Sequence, residues 1–156
     1  GAWFSGDERA QPRGGDGRPQ TADVVYLDPD RDIALLRPER PMADHLDLAP
    51  PSGPGPVGVL RFDDDSDRPV IDRGEIVELV DITLDGQGRR AAARLRADIE
   101  PGDSGAAVLD DDGDLVAMVF ATARDREIGW AISAVELERA LAALERRGPG
   151  VGPPAC

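Results

Sequence analysis

Residues 99–121 read IEPGDSGAAVLDDDGDLVAMVFA. P-G-D-S-G (101–105) is a tight turn by composition, and the apolar stretches on either side of D-D-G-D (111–114) carry a hairpin signal. An acyl-transfer serine needs such a turn, with backbone N–H groups free to bind the oxyanion of a tetrahedral intermediate. Gly102 can aim its N–H into a site of this kind, and the Ser104 N–H is the second donor. Gly105 lets the chain leave without a Cβ in a crowded strand entry. The alternative is a plain Gly/Asp/Ser loop; the flanking strands, the hairpin and the later Gly129-Trp130 pair favour a nucleophile.

Working outward, short apolar or alternating stretches recur at 57–62, 69–84, 90–99, 106–110, 114–123 and 128–133. Turn signals (DDDSDRP, DGQG, PGDSG, DDDGD, ARDRE) separate them. Six strands at this spacing predict an all-β barrel over 54–133. Ser133 and Glu136 then form a capping box, and Leu137, Ala140, Leu141 and Leu144 fall on one face of a helix over 134–147, stopped by Gly148 and Pro149. Upstream, TADVVYLD and DIALLRP read as strands, residues 5–20 as a Gly/Pro-rich loop, and the proline-studded 38–56 as a connector. The division is thus 1–53, 54–133, 134–147 and a tail at 148–156.

The chain has 156 residues, 31 acidic and 18 basic, for a net charge of −13. That balance repels phosphate backbones and anionic bilayers, so nucleic acid is excluded as a partner class. The longest strongly apolar run, 115–123, is far short of the ~20 residues of a membrane helix. Lysine and asparagine are absent, and one histidine, His45, and one cysteine, Cys156, occur. Cys156 is either an incidental thiol or half of a disulfide whose partner lies upstream.

Taken together, PGDSG, its hairpin, the strand ending in FAT and the late G-W-A-I before a helix resemble the C-terminal half of a trypsin-like serine protease domain. D-P-D-R-D-I-A-L-L (28–36) resembles the segment that carries the triad aspartate in that superfamily, with Asp32 at the matching position. The match covers roughly residues 20–147, and the compact loops and closing helix resemble bacterial HtrA/Deg-like enzymes and the membrane-anchored periplasmic proteases of actinobacteria. The resemblance implies a chymotrypsin-like double β-barrel whose first barrel is truncated here and whose second is complete. It implies catalytic Asp32 and Ser104, an oxyanion hole from Gly102 and Ser104, no cofactor, and an extracytoplasmic location, with a membrane tether upstream as one arrangement. Asp32 and Ser104 are expected to face one cleft. Ala106 and Ala107 stand where better-known members have Gly-Pro.

The family's order is His, Asp, Ser, but His45 follows Asp32 by thirteen residues and lies in the connector. A triad is defined by geometry, and this position does not deliver a base. Without lysine a Ser-Lys dyad is excluded too. GAWFSGD (1–7) resembles the segment just after the family's histidine loop, so the histidine is expected upstream of Gly1, preceded by two short strands. The chain alone is expected to be inactive.

The resemblance also implies an edge at Phe120, Ala121 and Thr122 that pairs with an extended protein or peptide substrate. Gly129 and Trp130 would floor the primary pocket, Trp130 being otherwise a core aromatic. Asp98 stands six residues before Ser104, where trypsin places its acid for basic side chains; its other reading is a charge ending a strand. The acidic runs 63–67 and 110–114 lack the spacing of a calcium loop and read as solvated turns, with no metal site assigned. Three functions compete: a serine endopeptidase, a dead pseudoprotease that binds extended peptides by strand addition, and a calcium-stabilised acidic module. The five residues Asp32, Gly102, Asp103, Ser104 and Gly105 together favour the first.

Overall fold

A computed structural model describes residues 9–10, 20–42, 45–62, 69–83, 88–100, 102–122 and 128–147. GAWFSGD, the acidic run 63–67, most of the DGQG turn, Pro101, the turn 123–127, the helix stop at Gly148 and Pro149, and Cys156 lie outside them. Gly1–His45 with Arg139–Cys156 form one compact unit and Leu46–Glu138 the other.

In the first unit β1 (Arg9–Ala10), β2 (Ala22–Asp28) and β3 (Ile33–Pro38) make an antiparallel sheet in that order. The segment 5–20 is therefore not all loop. Two residues of it pair with Asp23 and Ala22. Such pairing uses only backbone N–H and C=O groups, which composition does not reveal. Tyr26, buried in β2, carries the Arg147 guanidinium 5.0 Å from its ring centre.

The second unit is a closed barrel. β4 (Gly55–Phe62), β5 (Pro69–Thr83), β6 (Arg89–Arg96), β7 (Ala107–Leu109), β8 (Leu115–Thr122) and β9 (Ile128–Ser133) run in the order β4-β5-β6-β9-β8-β7, and β7 pairs back onto β4. Val59, Ile76, Leu95, Val108, Val116 and Val119 share a core with Ile99, and the register shift between β7 and β8 breaks the alternation that would put Val116 and Val119 on opposite faces. Each such side chain contributes roughly 1.5–3 kcal/mol on full burial. The outer face carries ion pairs across strands: Glu75 faces Arg96 and Glu78 faces Arg94 in direct register, at 2.9 and 2.8 Å.

The connector is stitched to this barrel rather than free. Leu115 N–H donates to Asp47 O at 2.8 Å and Ala49 N–H to Leu115 O at 3.2 Å, around a parallel bridge at Leu48. Prolines 50 and 51 come too late to remove these donors. The helix α1 (Ala134–Arg147) starts with Ser133 Oγ accepting the Val135 N–H at 3.3 Å. Glu136, fully buried, reaches across to the Ala91 N–H of β6 at 2.9 Å. The buried face holds Leu137 and Ala140, whereas Leu141 is 42% exposed, so the apolar stripe is narrower than its spacing suggests.

At the β7–β8 hairpin Asp110 Oδ1 accepts the N–H groups of Asp112 (3.0 Å) and Asp114 (2.9 Å), and Gly113 takes φ +86°. This carboxylate holds its own turn. Desolvation, and then the charges of Asp110, Asp47 and Asp112, push the Asp114 carboxyl above its usual range. A raised carboxyl costs nothing below its unfolded value and destabilises once pH passes the folded one. Asp114→Asn is therefore expected to raise Tm at neutral pH and to leave it unchanged below the carboxylate range, as thermal melts at the two pH values will show.

Candidate active site

The serine turn is held by its own backbone. Asp103 N–H donates to Glu100 O at 3.1 Å, and the Asp103 carboxylate accepts the Glu100 N–H at 2.8 Å. Ala106 N–H donates to Asp103 O, Gly105 N–H to Val119 O, and Val119 N–H returns to Ala106 O, all between 2.8 and 2.9 Å. From 102 to 106 the donors of Asp103, Gly105 and Ala106 are thus engaged. Those of Gly102 and Ser104 meet no partner among the described residues, and the Ser104 side chain is exposed and likewise unbonded.

Gly102 (φ +116°) and Gly105 (φ +95°) both lie in the left-handed region that favours glycine. A Cβ at Gly105 would meet nothing within 4 Å, so the requirement there is conformational and not the crowding expected from sequence.

β8 leaves an open edge next to this turn. Its pairing with β7 ends at Ala107 opposite Met118, and the turn's two bonds extend it to Val119. On the other side Ala121 and Thr122 pair with Trp130 and Gly129 of β9. Among the described residues nothing pairs with 120–122 on the edge facing the turn. Phe120 is the extra residue of a bulge between Val119 and Ala121, and its ring lies 5.1 Å from the guanidinium of buried Arg90. Bulges re-aim side chains in this way.

In the first unit Asp32 is exposed and adopts φ +55°, a conformation aspartate tolerates better than most residues. The loop before it is anchored by Asp28, which is buried. Asp28 accepts from the Arg31 N–H (3.1 Å), the Arg31 guanidinium (2.9 Å) and the Tyr26 hydroxyl (3.3 Å). Burial first, then the charge and hydrogen bond of Asp28, push the Tyr26 hydroxyl above its usual value. His45 is exposed and belongs to this unit, not to the one that carries Ser104.

The model of the trypsin-like peptidase domain matches residues 4–118. The chain belongs to that family. A serine-to-alanine mutant of Rv3671c from M. tuberculosis H37Rv, in an inactive form, superposes with a TM-score of 0.72 at 28% identity, over 88% of this chain and 70% of that one. The active form gives 0.74 at 28%, over 90% and 63%. The HtrA-type protease AlgW with a decapeptide reaches 0.78 at 22% identity, over 92% of this chain and 46% of that chain, a likeness of fold. This chain therefore spans less than half of AlgW and about two thirds of the mycobacterial chains. No curated protein matches the sequence. The fold is the chymotrypsin-like one, with the second barrel closed and three described strands in the first unit.

Within the serine-bearing unit of this trypsin-like peptidase domain, the remaining site residues divide by face. Asp98 is exposed and its neighbour Ile99 buried. Gly129 is buried, and a Cβ there would run into the Ile99 side chain. Trp130 is half-buried, between Arg94 and Ala121 in the sheet register, and is not a core aromatic. Gly129→Ala is expected to cost about 1–3 kcal/mol by overpacking, partly relieved by adding Ile99→Val, as denaturant unfolding of the single and double variants will show.

Sequence reasoning missed Asp28 and Arg61. Arg61 of β4 binds Asp72 of β5 at 2.5 Å and has Glu100 of the serine turn at 3.8 Å. The Asp72 hydrogen bond, and then the charges of Asp72, Asp103 and Glu100, hold it more firmly protonated against the opposing effect of burial. An arginine in an alternating strand gives no signal of this, because Asp72 is set by register and Glu100 by the fold of the serine turn.

Proposed function

We propose that the chain is the serine-bearing part of a serine endopeptidase. The observation that carries the reading is the pair of unengaged N–H groups at Gly102 and Ser104, flanking an exposed hydroxyl in a turn whose other donors are bonded. The Ser104 oxygen attacks the peptide carbonyl while a histidine takes its proton. The two N–H groups receive the charge that develops on the carbonyl oxygen. The histidine then returns the proton to the leaving amine, and water, activated by the same base, releases the acyl group and restores the serine. Asp32 orients that histidine, which is supplied by a segment upstream of Gly1. His45 has no part in it.

The substrate lies extended along 120–122, adding a strand to the open edge of β8. Trp130, which pairs with Ala121, and Asp98 are assigned to side-chain selection in this reading. The reading places the enzyme outside the cytoplasm, in line with the resemblance to periplasmic proteases; no helix among the described residues is long and apolar enough to cross a membrane.

The open edge by itself equally suits a pseudoprotease that holds peptides without cutting them. Incubating an unfolded protein with a chain extended upstream through the histidine separates the two. Internal cleavage products in the mass spectrum support the endopeptidase, and retention of intact peptide supports the binder.

A further inference from the structure

The serine turn carries two carboxylates, Glu100 and Asp103, in a chain of net charge −13. They are three residues apart and linked by the Glu100 N–H to Asp103 carboxylate bond of 2.8 Å. Two like charges on one short turn repel, and a cation facing them offsets that repulsion. Arg61 supplies that cation. Its Nε is held by Asp72 at 2.5 Å, and its NH1 edge points to Glu100 at 3.8 Å, with the side chain 24% exposed.

We infer that Arg61 is a positioning residue for the serine turn: anchored on β5 by Asp72, its guanidinium balances the Glu100 and Asp103 carboxylates and keeps 102–105 in the shape that leaves the Gly102 and Ser104 N–H groups unengaged. A guanidinium suits this role because its rigid planar fork is preorganised to serve the anchor and the turn at once, whereas an ammonium is a compact point charge on a flexible stem. Arg61 itself touches neither substrate nor reacting atoms. The consequence for chemistry rests on the endopeptidase reading; the hold on the turn does not.

Amide hydrogen exchange on this chain tests the hold. Arg61→Met is expected to speed exchange at the bonded Asp103 and Gly105 amides about tenfold while Val108 and Val116 in the barrel stay protected. Asp72→Asn, which frees the anchor without touching the turn, is expected to act in the same direction. Adding Glu100→Gln to Arg61→Met should restore protection, because it removes the repulsion that Arg61 balances. Unchanged exchange at 103 and 105 in both single variants, or no recovery in the double variant, overturns the inference.

Fluorophosphonate labelling of a chain extended upstream carries it to function. Arg61→Met is expected to lower the saturating rate about tenfold at an unchanged half-saturating concentration, with recovery on Glu100→Gln, since misplacing reacting groups slows chemistry more than binding. If exchange responds as expected but the extended wild-type chain forms no adduct at Ser104, the endopeptidase reading fails while the role of Arg61 in the turn stands. If the adduct forms at the same rate with and without Arg61, the positioning role fails and the endopeptidase reading stands.

Discussion

Peptide hydrolysis by a chain extended upstream through its histidine is expected to fall about a millionfold in kcat on Ser104→Ala, with little change in KM or Tm. The size of the effect reflects the way a triad works as a unit. Without the hydroxyl oxygen there is no acyl-enzyme, and the histidine and aspartate have nothing to activate. The Gly102 and Ser104 N–H groups remain, since alanine keeps the backbone donor, so what survives is oxyanion stabilisation of attack by water. Ser104 is exposed and without a hydrogen-bond partner among the described residues, so its loss leaves the fold untouched. A fall of less than about a hundredfold would assign the reaction to another nucleophile.

Asp32→Asn is expected to lower kcat by about four orders of magnitude in the same extended chain. An amide in place of the carboxylate presents the imidazole with a donor as readily as an acceptor, which favours the wrong tautomer and removes the charge that stabilises the imidazolium. Asparagine also tolerates the left-handed backbone found at this residue, φ +55°, so the substitution isolates the carboxylate from any backbone strain. Tm should not move. Activity within tenfold of wild type would remove Asp32 from the mechanism and leave its unusual backbone as a feature of the loop alone.

What the sequence disclosed and what it hid differ in range. The barrel strands β4 to β9 and the hairpin at 111–114 are legible because their signals are local: alternation, turn residues and one glycine that sits at φ +86°. PGDSG was legible for the same reason. The helix was legible from Ser133, but its face was not, since the exposure of Leu141 is decided by what packs against α1 and not by spacing. β1 and the strap at 47–49 were hidden because backbone pairing leaves no mark on composition.

Arg61 and Asp28 were hidden because their roles lie in partners. Arg61 pairs with Val70 across β4 and β5, which brings Asp72 within reach; a slip of one residue would turn its side chain to the other face. Register of that kind is a property of the closed sheet. The contact between Gly129 and Ile99 is likewise invisible in the sequence, because it joins residues thirty apart.

The proposed mechanism takes Ser104 as the nucleophile and a histidine upstream of Gly1 as its base. Fluorophosphonate labelling, with the adduct located by peptide mass spectrometry, tests it most directly when run in parallel on this chain and on one extended upstream through the histidine. An adduct is expected on Ser104 in the longer chain, lost on Ser104→Ala, and none above background in the shorter one. Equal labelling of both chains, or none of either, would contradict the mechanism.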